Sequence, residues 1–478
     1  MYLSNFNRFA LGALFLAMAG CTVGPDYQAP ANTLTAQYAH QAQLQQRVGE
    51  TPAPALDAWW SGFADPELSR IIDRVLAQNL DLQVALARVE QARAVARHAG
   101  AERLPQGALD TQAVRQRQSL NSPLGEIGSA FPDYQRTQTL ENLSAGASWE
   151  TDLAGALKRG EEAASAEAEA AEASHAGVRI SVAAEAADAY FRIRGAQQRI
   201  ALAEEQVHTE SGLLALVNDR FSSGLATQRE QAQAQALVSQ ARATLPPLRT
   251  ELALQLNRLD VLMGAQPGTY ASELLASAPT YKVPTINDSD GPASLLRRRP
   301  DVIAAERRLA ASNARIGAAI AEYYPKVSLS GLLGFESLHS GSLLGASSFQ
   351  PQAAIGLHWR LFDFGRVDAE VAQAKGAHAQ ALAEYRQAML KATEDVENAI
   401  VTLTELESQR LEVAREVDAH QVARAAAEDA YKGGAISLVE VLDEDRLLLA
   451  SRDQLAQLHA NDARAAVSTF RALGGGWQ

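Results

Sequence analysis

Two runs late in the chain alternate between apolar and polar positions. Val327, Leu329, Gly331, Leu333 and Phe335 share one side, opposite Ser328, Ser330, Leu332, Gly334 and Glu336. The return run sets Ala353, Ile355, Leu357, Trp359 and Leu361 against Gln352, Ala354, Gly356, His358 and Arg360. A period of two over about ten residues predicts strands with one apolar face. A Gly/Ser-rich segment separates the runs, so they form a hairpin. An earlier pair is fainter. Leu143, Ala145, Ala147 and Trp149 lie opposite Ser144, Gly146, Ser148 and Glu150, and a Gln/Arg-rich run over 109–119 is the weak partner. Each pair follows a helical stretch (68–101 and 293–323) that ends at Pro105 or Pro325. Each precedes a much longer one, 157–221 and 366–431, with no proline inside. At 1.5 Å per residue, about 65 helical residues extend roughly 100 Å. Leu382, Met389, Val396 and Leu403 recur every seven residues, with Tyr385, Ala392, Ala399 and Leu406 three further on. That is a heptad seam. Ala186, Ile193, Ile200 and Val207 keep the same register in the earlier copy.

The chain is one unit written twice. At an offset of 210, Trp149 falls on Trp359, Gly155 on Gly365, Phe221 on Tyr431, Gly224 on Gly434, Thr227 on Ser437 and Glu230 on Glu440. The offset is 220 at Pro105 and Pro325, so the first copy carries about ten extra residues, including a loop at 119–125. This divides the chain into 1–20, a 21–60 extension, repeat 1 over 61–265, a linker over 266–291 rich in Pro, Ser, Thr and Asp, and repeat 2 with its tail over 292–478. In each repeat the long helix ends at a glycine that supplies a left-handed turn, and a second helix returns to Gly264 or Gly474. Pro246-Pro247 should break or kink the first returning helix.

Composition narrows the function. Lys and Arg total 43 against 56 Asp and Glu, a formal net charge of −13. Nucleic acid is therefore not a partner. Hydrophobic residues reach 47% but aromatics only 6%, which suits long helices packed on alanine. After residue 20 no run has the ~18 consecutive apolar residues of a membrane-spanning helix. Residues 1–20 read as an export signal: Arg8, an apolar stretch over 9–19, then Ala19-Gly20. The single cysteine, Cys21, follows at once, so neither an intrachain disulfide nor a cysteine-based metal site can form. Met18-Ala19-Gly20-Cys21 resembles a bacterial lipobox, which implies a covalent lipid on Cys21 that holds the chain to one leaflet without crossing it.

If the four strands lie in a membrane, each is long enough to span it at a tilt. An open four-stranded sheet leaves edge N–H and C=O groups in lipid, which is not tolerated. Closed barrels need about eight strands or more, so the chain must pool strands with copies of itself, as a dimer of 8 or a trimer of 12.

The whole frame resembles a TolC-type outer-membrane efflux protein of the lipoprotein (NodT-type) branch. The resemblance runs through CTVGPDYQAP from Cys21, Trp59-Trp60 with Asp65-Pro66-Glu67-Leu68, NLDLQVALARVEQARA from Asn79, LRRRPD from Leu296, Asn313-Ala314-Arg315-Ile316-Gly317, and the segment from Tyr431 to Asp443. It implies a mainly α chain with a membrane β-barrel portion. Three copies would close a 12-stranded barrel in the outer membrane and a periplasmic α-helical tunnel. It also implies docking to a periplasmic adaptor (membrane fusion) protein and an inner-membrane RND-type pump.

The same resemblance makes the turns at Phe221 and Gly224, and at Tyr431 and Gly434, the tips that close the tunnel and meet the adaptor. It places Glu440 and Asp443 at the periplasmic gate. At i and i+3 they share a helix face, and three copies bring up to six carboxylates together, a ring that attracts cations and repels anions. Without the resemblance, the same two residues read as acids in a solvated first helical turn, favoured by the macrodipole. Where the family often carries an arginine, this chain has Ile436. Asp445 and Arg446 read as surface charges, Trp59 and Trp60 as packing residues, and Arg297 to Asp301 as a charged helix entry.

No catalytic residue, cofactor or metal is expected. The nine histidines are scattered, and no HExxH, GxSxG, GxxxxGK[ST] or dinucleotide fingerprint occurs. Besides a passive exit duct for drugs or other small molecules, two readings stay open. One is a type I secretion exit channel. The other is a structural trimeric coiled-coil lipoprotein without a pore, whose strands would stay out of the membrane.

Overall fold

The computed structural model describes residues 22–31, 34–47, 49–276, 281–286 and 291–477. Cys21 and the export signal lie outside the described residues. The main elements run α1 (Pro66–Gln78), α2 (Leu80–Ala101), β1 (Gln106–Arg117), α3 (Pro123–Ser129), β2 (Thr137–Thr151), α4 (Ala156–Ser222), α5 (Gln228–Leu262), α6 (Pro300–Ala321), β3 (Lys326–Ser337), β4 (Phe349–His358), α7 (Arg366–Lys432) and α8 (Leu438–Ala472). α4 and α7 are each 67 residues long, and α5 and α8 are each 35. The duplication extends to backbone detail. Gly155 and Gly365, Gly224 and Gly434, and Gly264 and Gly474 all have positive φ. Trp149 donates its indole N–H to the Arg103 carbonyl at 2.9 Å, and Trp359 donates to the Tyr323 carbonyl at 3.0 Å.

The chain forms two compact units. The first holds 89–170 and 306–384 with the described residues before 31. Its sheet is antiparallel in the order β1-β2-β3-β4. The register aligns Trp149 with Leu329, Ala145 with Leu333, and Leu329 with Ile355. The apolar positions of neighbouring strands therefore share one face, and that face is bare: Leu109, Leu333, Ile355 and Leu357 are all exposed. Among the described residues, β1 and β4 have no partner strand on their outer sides. The inserted loop of repeat 1 contains a short helix, α3, capped by Ser122. In the same unit the N-terminal segment starts on the elbow after β2, where Val23 N–H bonds the Ala154 carbonyl at 3.0 Å. The buried Arg159 guanidinium donates to the Val23 and Gly24 carbonyls and to Asp26.

The second unit holds 31–88, 171–305 and 385–478. Trp59, fully buried, stacks on Phe470 at 5.5 Å and meets Phe63 edge-on, so the tryptophan pair packs the interior as its sequence position suggests. The heptad seam is buried at Tyr385, Met389, Ala392, Val396, Ala399 and Leu403. Arg299 pairs with Asp301 and Asp395 at 2.7 and 2.8 Å, the expected helix-entry role.

Three local expectations are corrected. The helix expected over 68–101 breaks at Asn79, whose backbone is extended. Its side chain accepts from Leu82 N–H and donates to the Leu262 carbonyl. An asparagine can cap a helix from outside it and so invites a new start. The stretch expected over 293–323 is interrupted at Arg299, because a residue before proline is driven from the helical region. Of the break or kink expected at Pro246-Pro247, the break does not occur: α5 continues to Leu262. The Thr244 and Thr250 hydroxyls donate to the Ala241 and Pro246 carbonyls at 2.7 and 3.0 Å, and buried Val238, Ala241 and Leu248 hold the helix on both sides of the pair. Among the described residues no helix is long and apolar enough to cross a membrane.

Candidate functional site

The site is assembled where the two helical hairpins turn, within the second unit. Both turns are built alike. Gly224 N–H bonds the Phe221 carbonyl at 3.0 Å and Leu225 N–H bonds the Arg220 carbonyl at 2.8 Å. Gly434 and Ala435 repeat this with Tyr431 and Ala430 at 2.9 Å each. This pair of bonds is a Schellman end, and the residue with positive φ (69° and 74° here) has to avoid a Cβ clash, hence glycine. The returning helices start with matched capping boxes, Thr227 with Glu230 and Ser437 with Glu440.

Between the hairpins lies an apolar knot of Val217, Ala234, Tyr431, Leu438, Val441 and Leu442, all buried. Arg220 places its guanidinium 5.0 Å from the Tyr431 ring centroid. Phe221 and Tyr431 are equivalent in sequence but not in setting: Tyr431 is 8% exposed and Phe221 is 40% exposed. Ile436, where the resemblance expects an arginine, packs against the knot.

The two residues expected at the gate also differ. Glu440 is exposed but engaged, its Oε1 accepting from Ser437 N–H at 3.2 Å and from the Ser437 hydroxyl at 3.1 Å. Its carboxylate is turned to its own helix start. Asp443, one turn on, is exposed. Glu230, the counterpart of Glu440, is held by Thr227, and the hydrogen bond from the Thr227 backbone keeps its carboxyl below the usual range.

Asp445 is not a surface charge. It is 5% exposed and accepts from Arg424 Nε at 2.8 Å. Arg424 also bonds Glu428, which in turn meets Lys432 at 2.7 Å. Opposite stands Glu210 on α4, 2% exposed, whose Oε1 accepts from Gln206 at 3.0 Å. Burial, and then the neighbouring Asp445 charge, push the Glu210 carboxyl up to about 7. Among the described residues, one oxygen of each acid, Glu210 Oε2 and Asp445 Oδ2, has no hydrogen-bond partner. Both residues line a groove of about 1240 Å³ between α4, α5, α7 and α8. Arg446 is exposed, as its surface reading has it.

The sequence carried a signal for this pair. Leu438, Val441, Leu442, Asp445 and Leu448 follow one buried stripe, and Glu210 sits between Ala203 and Val217 at heptad spacing. A charged residue on such a stripe faces inward.

Two segments, 71–265 and 291–475, match the family model of outer membrane efflux proteins. The chain is 33% identical over 427 residues to the pyoverdine export outer membrane protein OpmQ of Pseudomonas putida, covering 88% of each chain. It is 30% identical to the outer membrane protein OprJ of Pseudomonas aeruginosa, covering 98% of this chain and 96% of the relative. The solved outer-membrane channel OprN superposes with a TM-score of 0.83 at 31% identity, over 96% of this chain and all of that one.

Proposed function

The chain belongs to the outer membrane efflux protein family, and on that premise we propose that it is the outer-membrane channel of a tripartite efflux pump, a passive exit duct for drugs or other small molecules. The observation that carries the reading is the sheet: four strands with one bare apolar face and two open edges. In lipid such edges must be closed, and three copies close them as a 12-stranded barrel. The long helices of the same three copies continue the duct through the periplasm.

Cys21 carries the lipid that joins the N-terminus to the inner leaflet of the outer membrane. Thr22, the next residue, packs against Gly155 on the elbow after β2, which suits an anchor beside the sheet. The tips at Phe221, Gly224, Tyr431 and Gly434 dock a periplasmic adaptor, which links the channel to an inner-membrane RND-type pump. Exposed Phe221 offers the apolar contact, while buried Tyr431 serves the tip itself. Asp443 and Glu440 form the gate ring. Because Glu440 is engaged by Ser437, Asp443 contributes more of the ring's field.

The test is single-channel conductance of the lipidated trimer in planar bilayers. A cation-selective current is expected, with selectivity reduced more by Asp443→Asn than by Glu440→Gln. A current indifferent to both changes removes the gate and keeps the duct. No current from inserted trimer, even with the tips loosened, removes the duct and favours a structural lipoprotein.

A further inference from the structure

The Glu210–Asp445 pair has no part in the gate ring, yet its two buried carboxyls stand on opposite hairpins along one groove, and the hairpins must separate when the tip opens. Glu210 belongs to the first hairpin, and Asp445 and Arg424 belong to the second. From α7, Arg424 faces the pair, with Glu428 and Lys432 behind it. From α8 come Asp445 and its neighbours, Glu444 against His420 at 3.2 Å and the exposed Arg446. On α4 itself Gln206 supports Glu210. α5 lines the groove here with Leu237, Gln240, Ala241 and Thr244, and its one charged groove residue, Glu251, lies 3.7 Å from Arg192. The remaining charged groups lining the groove on α4 and α8 are paired: Arg199 with Asp453 at 2.6 Å, Arg452 with Glu205 at 3.6 Å and Arg464 with Asp188 at 2.6 Å.

Arg424 bonds Asp445 and Glu428 and attracts Glu210 only at a distance, and among the described residues Glu210 has no ion-pair partner. With both acids ionised, the buried site holds one uncompensated negative charge and two oxygens without donors. That is costly away from water. A single proton on Glu210 removes the excess charge and supplies a donor where one is missing.

We propose that the Glu210–Asp445 pair is a proton-operated latch between the two hairpins of each chain: it holds one proton while the tip is shut, and releasing that proton to the water of the groove loosens α4 from α8 and favours opening. The proposal rests on the reading of the tip as a gate and adds a control to it. The raised Glu210 carboxyl places the response near neutral pH. Acidification tightens the latch and alkalinisation releases it.

Conductance of the lipidated trimer is compared between pH 5.5 and 8.5 in wild type, Glu210→Gln and the Glu440→Gln/Asp443→Asn double variant. Each unit of pKa difference between shut and open tips is worth tenfold in their ratio, so the wild-type open fraction should rise at least ~10-fold across this range. Glu210→Gln, neutral at every pH, should stay at the low-pH level. The double variant should keep the wild-type pH response. An identical pH profile in wild type and Glu210→Gln overturns the latch and leaves the duct standing.

A second readout does not depend on conduction. Spin labels on Thr209→Cys and Leu447→Cys, both at exposed positions, report the α4–α8 distance in the detergent-solubilised trimer. A distance distribution that lengthens or broadens at pH 8.5 in wild type but not in Glu210→Gln supports the latch even if the duct reading fails. No pH-dependent difference overturns it.

Discussion

Arg194 gives the sharpest stability test in the second unit. Its side chain is 3% exposed and its Nη2 lies 2.7 Å from Glu67 Oε2, itself on a side chain 8% exposed. Its Nη1 donates to the Leu274 carbonyl at 3.1 Å and to Gln197 at 2.7 Å. The guanidinium also lies 4.7 Å from the Tyr190 ring, and the Tyr190 hydroxyl donates to Asp65, the N-cap of α1, at 2.5 Å. Arg194→Met keeps the stem volume and removes the charge, leaving the buried Glu67 carboxyl with only Arg70, 3.9 Å away. Breaking a buried pair from one side costs about 3–5 kcal/mol. An exposed pair such as Arg249–Glu204, with side chains 60% and 55% exposed, is worth about 0–1 kcal/mol. Native-state hydrogen exchange of the α1 amides reads the difference. Arg194→Met should lower their protection by about a hundred- to several-thousand-fold, and Arg249→Met should leave it nearly unchanged. Adding Glu67→Gln to Arg194→Met should recover part of the loss, because the stranded charge is gone. If Arg194→Met costs no more than Arg249→Met, or if the double variant is worse by the full sum, the buried-charge argument is wrong.

Leu438→Ala empties a position 1% exposed in the tip knot. It should cost about 2–5 kcal/mol locally, seen as faster proteolysis at the tips and a larger resting conductance. Thr227→Ala and Ser437→Ala each remove a capping box at the start of α5 or α8. Each should cost about 1 kcal/mol, read as lower amide protection in the first turn of that helix only. Asp462 is buried beside Glu407, and burial first, then that charge, push its carboxyl from 3.8 up to about 6. The folded state therefore holds this proton to higher pH than the unfolded chain does, and the site loses about 3 kcal/mol as pH rises from 3.8 through 6. The apparent melting temperature of Asp462→Asn should accordingly decline less than that of wild type between pH 4.5 and 7, and equal slopes would refute the assignment.

Where the sequence was legible, local chemistry and period agreed. The ends of α4 and α7 lie within a residue of expectation, because each is a proline-free heptad run closed by a glycine that only a left-handed turn requires. The open sheet was legible because alternation counts strands without their partners. What was missed depends on groups far away in the chain. The break at Asn79 is fixed partly by the Leu262 carbonyl, 183 residues on, and the unbroken α5 by packing on both sides of its prolines. The surface reading of Asp445 rests on where carboxylates usually lie. Arg424, 21 residues before it, and Glu210, from the other hairpin, make it an interior group. The capping box at Ser437 and Glu440 shows the opposite limit: its sequence is plain, but the same glutamate suits a helix start and a gate ring. Geometry gives Glu440 its local partner and leaves Asp443 exposed. If the proposed gate stands, its field and the helix start rest on different side chains, and Asp443→Asn and Ser437→Ala alter them separately.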